Sequence, residues 1–169
     1  HFIGTAEMKK IFEAAGPVDL YLNDACLMQG LEVAYQLKDQ AKVIVGAEDI
    51  AYGYVYPGAI KALKADPSIG PEQLASHFIK AYFDAYQSEP DMQLSAIRTA
   101  ELETLAGLVS DWAVLTLEVK DRAALKVARD GVMRFNTSFY ADLAHFMELF
   151  EGAHDMSLPK AAELQAAGR

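Results

Sequence analysis

The only cysteine of the chain, Cys26, stands where a strand pattern gives way to a helix pattern. Val18, Leu20 and Leu22 alternate as in a β-strand, and apolar residues at helical spacing follow from Leu31. A thiol at such a junction can face a helix N-terminus, whose dipole stabilises a thiolate. The thiolate is the nucleophilic form, so the position suits a catalytic cysteine. The alternative is a buried, inert cysteine that packs as a small hydrophobic residue.

Asp24 precedes the cysteine by two residues, so in extended backbone both side chains would point the same way. A carboxylate beside a thiolate is unfavourable unless it faces a cation. One interpretation is therefore recognition of a basic substrate group through a charge-assisted hydrogen bond. The other is a turn or cap aspartate, because Asp often caps a following helix. The residues leave both interpretations open.

The elements around this junction alternate between helix and strand. The pattern predicts a helix over residues 6–15 capped by Thr5, a strand over 18–23, a helix over about 29–39 and a second strand over 41–46. This order is typical of βαβ units in a parallel sheet. The loop 48–57 follows the second strand, at the carboxyl edge where such sheets bind ligands. Packing and pocket lining explain its alternating Tyr52, Tyr54 and Tyr56 equally well.

The rest of the chain is mostly helical in pattern. We expect helices over 57–65 and 71–87, a strand over 92–97, a helix capped by Thr99, helical character over 123–132 and a final helix over 140–150. From Gly152 onward the sequence suggests a loose tail. The expected organisation is one α/β domain over residues 1–152, followed by a C-terminal tail over 153–169.

Composition excludes several functions. With 52% hydrophobic residues, the chain can bury a core, and 24 acidic against 15 basic residues give a net charge of −9. This charge argues against nucleic acid and anionic membranes as partners. No apolar run approaches the ~18 residues of a membrane span. Neither nucleotide-binding glycine motifs nor metal-binding His and Cys motifs occur, so we expect no metal site.

A longer motif around the cysteine is specific. Asp24-Ala25-Cys26-Leu27-Met28, followed by Glu32-Val33-Ala34-Tyr35-Gln36-Leu37, resembles the clostripain family of cysteine peptidases. Val45-Gly46-Ala47-Glu48, Gly53-Tyr54-Val55-Tyr56, Leu94-Ser95-Ala96-Ile97 and Tyr140-Ala141-Asp142-Leu143 extend the resemblance over about residues 5–150. It implies a caspase-like α/β fold, a three-layer sandwich with a mostly parallel sheet. Here that sheet would be incomplete, with N-terminal strands missing from this chain.

The resemblance implies hydrolysis of peptide bonds after Arg or Lys. Cys26 would be the nucleophile, and Asp24 would lie in the pocket for the basic P1 side chain, which precedes the cleaved bond. The family's general base is a histidine followed by glycine, some tens of residues before the cysteine. The only upstream histidine, His1, precedes Phe2 and is too close to Cys26 to match. We therefore expect the heavy-chain or C-terminal portion of such a peptidase, inactive until a light chain or N-terminal segment supplies the histidine.

The loop departs from the family pattern at one place. Members selective for basic residues often carry a second acidic residue before the glycine of this loop, where this chain has Tyr52 ahead of Gly53. Either the second carboxylate shifts to Asp49, or the preference for Arg and Lys is relaxed. Calcium dependence is known in the family, but no ligand cluster can be assigned here, so no cofactor is identified. The resemblance also suggests a bacterial protein located outside the cell or in its envelope.

Two other interpretations of the sequence stay open. One is a non-catalytic caspase-like domain that binds or regulates and has lost the general base. The other is an ordinary α/β structural domain with a buried cysteine.

Overall fold

The strand β2 (Ala41–Gly46) is the centre of a three-stranded sheet. The computed structural model describes residues 4–168, except the side chain of Gln165. β1 (Val18–Leu22) pairs with β2 in parallel, and β3 (Ser95–Arg98) pairs with β2 antiparallel on its other side. β2 can occupy this position because its apolar residues are consecutive, as expected for a strand covered on both faces.

Helices cover both faces of this sheet. Those of the first hundred residues are α1 (Thr5–Ala15), α2 (Leu31–Gln36), α3 (Tyr56–Ala65) and α4 (Pro71–Ala85). Val43 and Val45 of β2 pack with Tyr82 of α4 on one face, and Ile44 packs with Leu37 after α2 on the other. Successive strand residues point to opposite faces, so one apolar run fills two cores. The predicted α/β architecture is confirmed.

The first two strands and the helix between them form the predicted βαβ unit. β2 has the predicted bounds and β1 ends one residue early. α2 is shorter than the predicted helix over 29–39, because Gly30 caps it and residues 37–40 form a turn. Two predicted caps are wrong: α1 is capped by Gly4 and begins at Thr5. Thr99 begins a short 3-10 helix, Thr99–Glu101, instead of capping an α-helix.

The buried Thr99 side chain has a different structural role. Its hydroxyl donates to the carbonyl oxygens of Ala41, at 2.6 Å, and Lys42, at 3.1 Å. Thr99 follows the end of β3, and both acceptors lie at the start of β2. The hydroxyl therefore joins the ends of two antiparallel strands, a contact between residues far apart in sequence.

The chain divides into two compact units, one ending at Leu102 and the other beginning at Glu103. The predicted boundary between a domain over 1–152 and a tail over 153–169 does not coincide with this division. The second unit contains α5 (Leu102–Val119, which starts at the boundary), α6 (Arg122–Gly131), α7 (Leu143–Ala153) and α8 (Ala161–Ala167). Its core is built on Trp112, Phe150 and Leu164, all buried.

The prediction of a loose tail from Gly152 onward is wrong. Ala161 and Leu164 of α8 are almost completely buried, and Leu164 belongs to the same apolar cluster as Trp112. The seven residues of α8 are too few for a clear helical period, so burial in the tertiary structure decides their conformation. None of the helices in residues 4–168 is long and apolar enough to cross a membrane.

Candidate active site

Two loops meet at the carboxyl ends of the parallel strands β1 and β2. The loop over residues 23–30 follows β1 and carries Asp24 and Cys26, and the loop over 47–55 follows β2. Backbone hydrogen bonds join them: the N–H of Leu27 donates to Asp49 at 3.0 Å, and the N–H of Met28 donates to Ala47 at 3.0 Å. Leu27 adopts a left-handed conformation with φ of 63°, which turns the chain directly after the cysteine. The cysteine loop is thus held by its neighbour.

Cys26 is exposed, and its sulfur is held by the backbone of the second loop. The N–H of Ala51 donates to Cys26 Sγ at 3.3 Å, and the thiol lies 3.8 Å from the Ala51 carbonyl oxygen. The alternative of a buried, inert cysteine is therefore wrong. A solvent-accessible sulfur in a position fixed by a backbone amide can act as a nucleophile toward a bound peptide.

Asp24 is also exposed, and its carboxylate has one defined partner. The hydroxyl of Tyr56, at the start of α3, donates to Asp24 Oδ2 at 2.5 Å. This bond is the main reason why the pKa of Tyr56 is raised, so the phenol stays protonated and donating. The cap interpretation of Asp24 is wrong, because Gly30 caps α2 without any side-chain bond. The exposed carboxylate can accept a cation.

Tyr54 lies close enough to Asp24 for the carboxylate charge to act on its phenol. Its ring is buried against Tyr82, with ring centroids 5.8 Å apart. Burial raises the pKa of Tyr54 far above its usual range, and the negative charge of Asp24 raises it further. Its hydroxyl has no hydrogen-bond partner within the described part of the chain. Tyr54 is thus a neutral, buried group.

The other two residues suggested by the sequence contribute differently. Tyr52 stacks on Tyr86 with centroids 5.0 Å apart, and its hydroxyl reaches Glu89 Oε2 at 3.5 Å. Partial desolvation, followed by the charge of Glu89, raises the pKa of Tyr52. Asp49 is half-buried, accepts the N–H of Ile50 on its carboxylate at 2.7 Å and binds the cysteine loop through its carbonyl. The structure brings Asp24 into contact with Tyr56, rather than with either of these residues.

A buried glutamine, which the sequence gives no reason to single out, ties the cysteine loop to the sheet. Gln29 donates through Nε2 to the carbonyls of Ile44, at 3.3 Å, and Ser95, at 3.0 Å. It lies directly over Gly46, where a β-carbon would come within 2.6 Å of Gln29 Oε1. In the sequence, Gln29 is recognisable only as a polar residue beside a hydrophobic motif. Such residues are too common to indicate a role.

Within the described residues, the thiol of Cys26 has hydrogen bonds only to Ala51. Two histidines of the described part have other partners. His145 Nδ1 accepts the N–H of Met133, and the buried His154 stacks on Phe150. His1 lies outside the described residues. Across residues 4–168, no group of three or more His, Cys, Asp or Glu side chains could hold a metal ion.

Comparison with known proteins identifies the family. The sequence model of the Clostripain family (Peptidase_C11) matches residues 1–158. No curated protein matches the chain. Solved structures do: a B. fragilis cysteine protease is 20% identical, with a TM-score of 0.67 over 99% of this chain and 71% of its own.

Two further similar structures come from Bacteroides thetaiotaomicron. A clostripain in complex with the peptide inhibitor BTN-VLTK-AOMK is 19% identical, with a TM-score of 0.69 over 98% of this chain and 69% of its own. A secreted C11 cysteine protease with an irreversible peptide inhibitor is 20% identical, with a TM-score of 0.70 over 99% of this chain and 46% of its own. These likenesses confirm the caspase-like fold. Because the family model covers nearly all of the sequence, the chain belongs to the clostripain family of cysteine peptidases.

Proposed function

We propose that this chain is the cysteine-bearing part of an endopeptidase that cleaves peptide bonds after Lys or Arg. Cys26 is the nucleophile, and Asp24 binds the basic P1 side chain. The observation that carries the proposal is that both side chains are exposed on one loop, at the carboxyl edge of β1 and β2. Ligands bind open α/β sheets at this edge. The basic P1 preference has support in a relative, whose inhibitor BTN-VLTK-AOMK contains a peptide that ends in lysine.

The proposed reaction proceeds through an acyl-enzyme. A histidine outside this chain accepts the proton of the Cys26 thiol, and the sulfur attacks the carbonyl carbon after the basic residue. As the tetrahedral intermediate collapses, the histidine returns the proton to the leaving amine. Water then hydrolyses the thioester, which releases the acid product and the thiol. The N–H of Ala51 fixes the position of the sulfur before attack.

The histidine belongs in this proposal to a light chain or an N-terminal segment. Supporting this, the thiol of Cys26 bonds only to Ala51 among the described residues. The secreted relative from Bacteroides thetaiotaomicron supports a location outside the cell or in the envelope of a bacterium. Protein and peptide substrates with a basic P1 residue would then be encountered there.

The test uses the chain together with the segment that carries its histidine. Peptide reporters identical except for Lys, Arg or norleucine at P1 are supplied to the wild type, Cys26→Ala and Asp24→Asn. We expect Cys26→Ala to abolish cleavage of all three reporters. Asp24→Asn should reduce kcat/KM for the Lys and Arg reporters about tenfold or more, as expected for the loss of a charge-assisted hydrogen bond, and leave the norleucine reporter unchanged.

Each failure has a distinct meaning. Full activity of Cys26→Ala would disprove the proposed nucleophile. An equal loss on all reporters in Asp24→Asn would make Asp24 a structural residue instead of the P1 carboxylate. Absence of cleavage by the wild type, in the presence of a histidine-bearing partner, would favour the non-catalytic caspase-like domain.

A further inference from the structure

We propose that Tyr56 is a specificity-determining residue that makes the P1 site favour lysine over arginine. It does so by occupying one oxygen of the Asp24 carboxylate. The proposal rests on the function proposed above and names the residue that divides its two basic substrates.

The argument starts with the carboxylate itself. The Tyr56 hydroxyl donates to Asp24 Oδ2 at 2.5 Å, a short bond to a charged acceptor. Charge-assisted bonds of this kind are about twice as strong as bonds between neutral groups. Within the described residues, Oδ1 of Asp24 accepts no hydrogen bond. Oδ1 is therefore fully open, whereas Oδ2 already accepts one of the two hydrogen bonds that it can accept.

Lysine and arginine bind a carboxylate with different hydrogen-bond geometries. The arginine guanidinium is a planar fork that binds best through two parallel bonds, one to each oxygen. The lysine ammonium is a compact point charge that is satisfied by one oxygen and by water. An ammonium can bind Oδ1 and leave the phenol in place, whereas a bidentate guanidinium must also use Oδ2, where it shares the oxygen with the phenol or displaces it. Arginine consequently loses more affinity than lysine.

The Tyr56 ring is supported on two sides, which limits how easily it is displaced. It packs edge-on against Phe78 of α4, with ring centroids 5.9 Å apart, and contacts Tyr54 at 6.4 Å. Tyr56 as a whole remains 37% exposed, and Asp24 is exposed as well, so their bond lies at the surface. Its position in the first turn of α3 fixes the backbone as well.

Tyr54 supplies the matched control. It is two residues away, and the charge of Asp24 acts on it, yet its hydroxyl bonds to nothing in the described part of the chain. Tyr54→Phe and Tyr56→Phe therefore remove the same atom from neighbouring rings. Only the second change alters the hydrogen bonding of Asp24.

The experiment measures kcat/KM for the Lys, Arg and norleucine reporters on the complete protein, including the partner that carries the histidine. In Tyr56→Phe we expect the ratio of Lys to Arg cleavage to fall about fivefold, the factor that corresponds to one net hydrogen bond. The change should come from a lower KM for the Arg reporter, with kcat unchanged. In Tyr54→Phe the ratio should equal that of the wild type.

The possible failures can be separated. A Tyr56→Phe variant that keeps or raises the ratio of Lys to Arg overturns this inference while leaving the proposed function intact. So does a fall of the same size in Tyr54→Phe, which would indicate a general effect of the aromatic cluster. If the wild type does not discriminate basic from neutral reporters, the P1 role of Asp24 fails, and the inference fails with it.

Discussion

At the scale of single residues, the site depends on a close backbone approach at Gly46. Gln29 lies over this glycine, and its amide holds the cysteine loop to the sheet through Ile44 and Ser95. A β-carbon at position 46 would lie 2.6 Å from Gln29 Oε1 and 3.3 Å from Gln29 Cβ. A shift of Gln29 away from that β-carbon would move the amide group that makes both bonds.

We therefore predict that Gly46→Ala lowers the free energy of unfolding by about 1–3 kcal/mol, the range for an overpacked core. Gly107→Ala is the matched control: it lies inside α5 and its added β-carbon meets no atom within 4 Å. That change should stabilise the chain by about 0.8–1 kcal/mol, the helix preference of alanine over glycine. Urea unfolding of both variants measures the difference. Equal stability of Gly46→Ala and the wild type would show that Gln29 moves aside freely.

The residues of the site were predictable to different extents. Cys26 and Asp24 could be selected because a strand-to-helix junction and a specific motif lie together in the sequence. The partnership of Asp24 with Tyr56 spans 32 positions and depends on how α3 begins, so no local pattern indicates it. For the same reason, the sequence could not rank Tyr52, Tyr54 and Tyr56, which alternate along one loop but meet different neighbours.

At the scale of elements, α6 depends on the cap residue Asp121. Its carboxylate accepts the N–H groups of Ala123, Ala124 and Asp155 at 3.1, 3.0 and 2.9 Å. The bond from Ala124 is the main cause that lowers the pKa of Asp121 below its ordinary 3.8, and the bond from Asp155 is the second. The ionised form is thus the one that folding favours. Its contribution is present above pH 3.8 and is lost as the pH falls through the lower pKa of the folded state.

We predict that Asp121→Ala lowers the free energy of unfolding by about 1 kcal/mol at pH 7, the usual cost of losing a helix cap. The difference from the wild type should shrink as the pH falls below 3.8 and through the lower pKa of the folded-state carboxylate. Asp111→Ala, on the exposed face of α5, is the control and should show neither effect. Thermal unfolding over a pH series measures this. A difference that does not change with pH would mean that the cap acts without its charge.

Among the elements, β2 was predicted best. β2 was predicted with its observed bounds because a run of apolar residues between turn residues leaves few alternatives. The predicted strand over 92–97 is observed as Ser95–Arg98, since only the residues opposite β2 can pair. α8 was missed because its two buried residues become informative only when the cluster around Trp112 is known.

At the scale of the whole molecule, the chain has the family's fold, with the candidate site contained in the unit that ends at Leu102. The sequence predicted the α/β class from its alternation of elements, and the comparisons confirm the family over residues 1–158. The division into two units was not predicted, because the boundary lies within continuous helical sequence around Leu102. Residues 98–104 contain neither proline nor glycine, two of the signals by which linkers are recognised.

The central claim is that Cys26 is the nucleophile and that it attacks peptides which bind through a basic P1 residue. It is tested most directly by treating the complete protein with two irreversible peptide inhibitors that differ only in their last residue, lysine or norleucine. Mass spectrometry of the digested protein then locates the adduct. We predict rapid modification of Cys26 by the lysine inhibitor and much slower modification by the norleucine inhibitor, with the difference abolished in Asp24→Asn. Equal rates for both inhibitors in the wild type, or an adduct at any residue other than Cys26, would contradict the account.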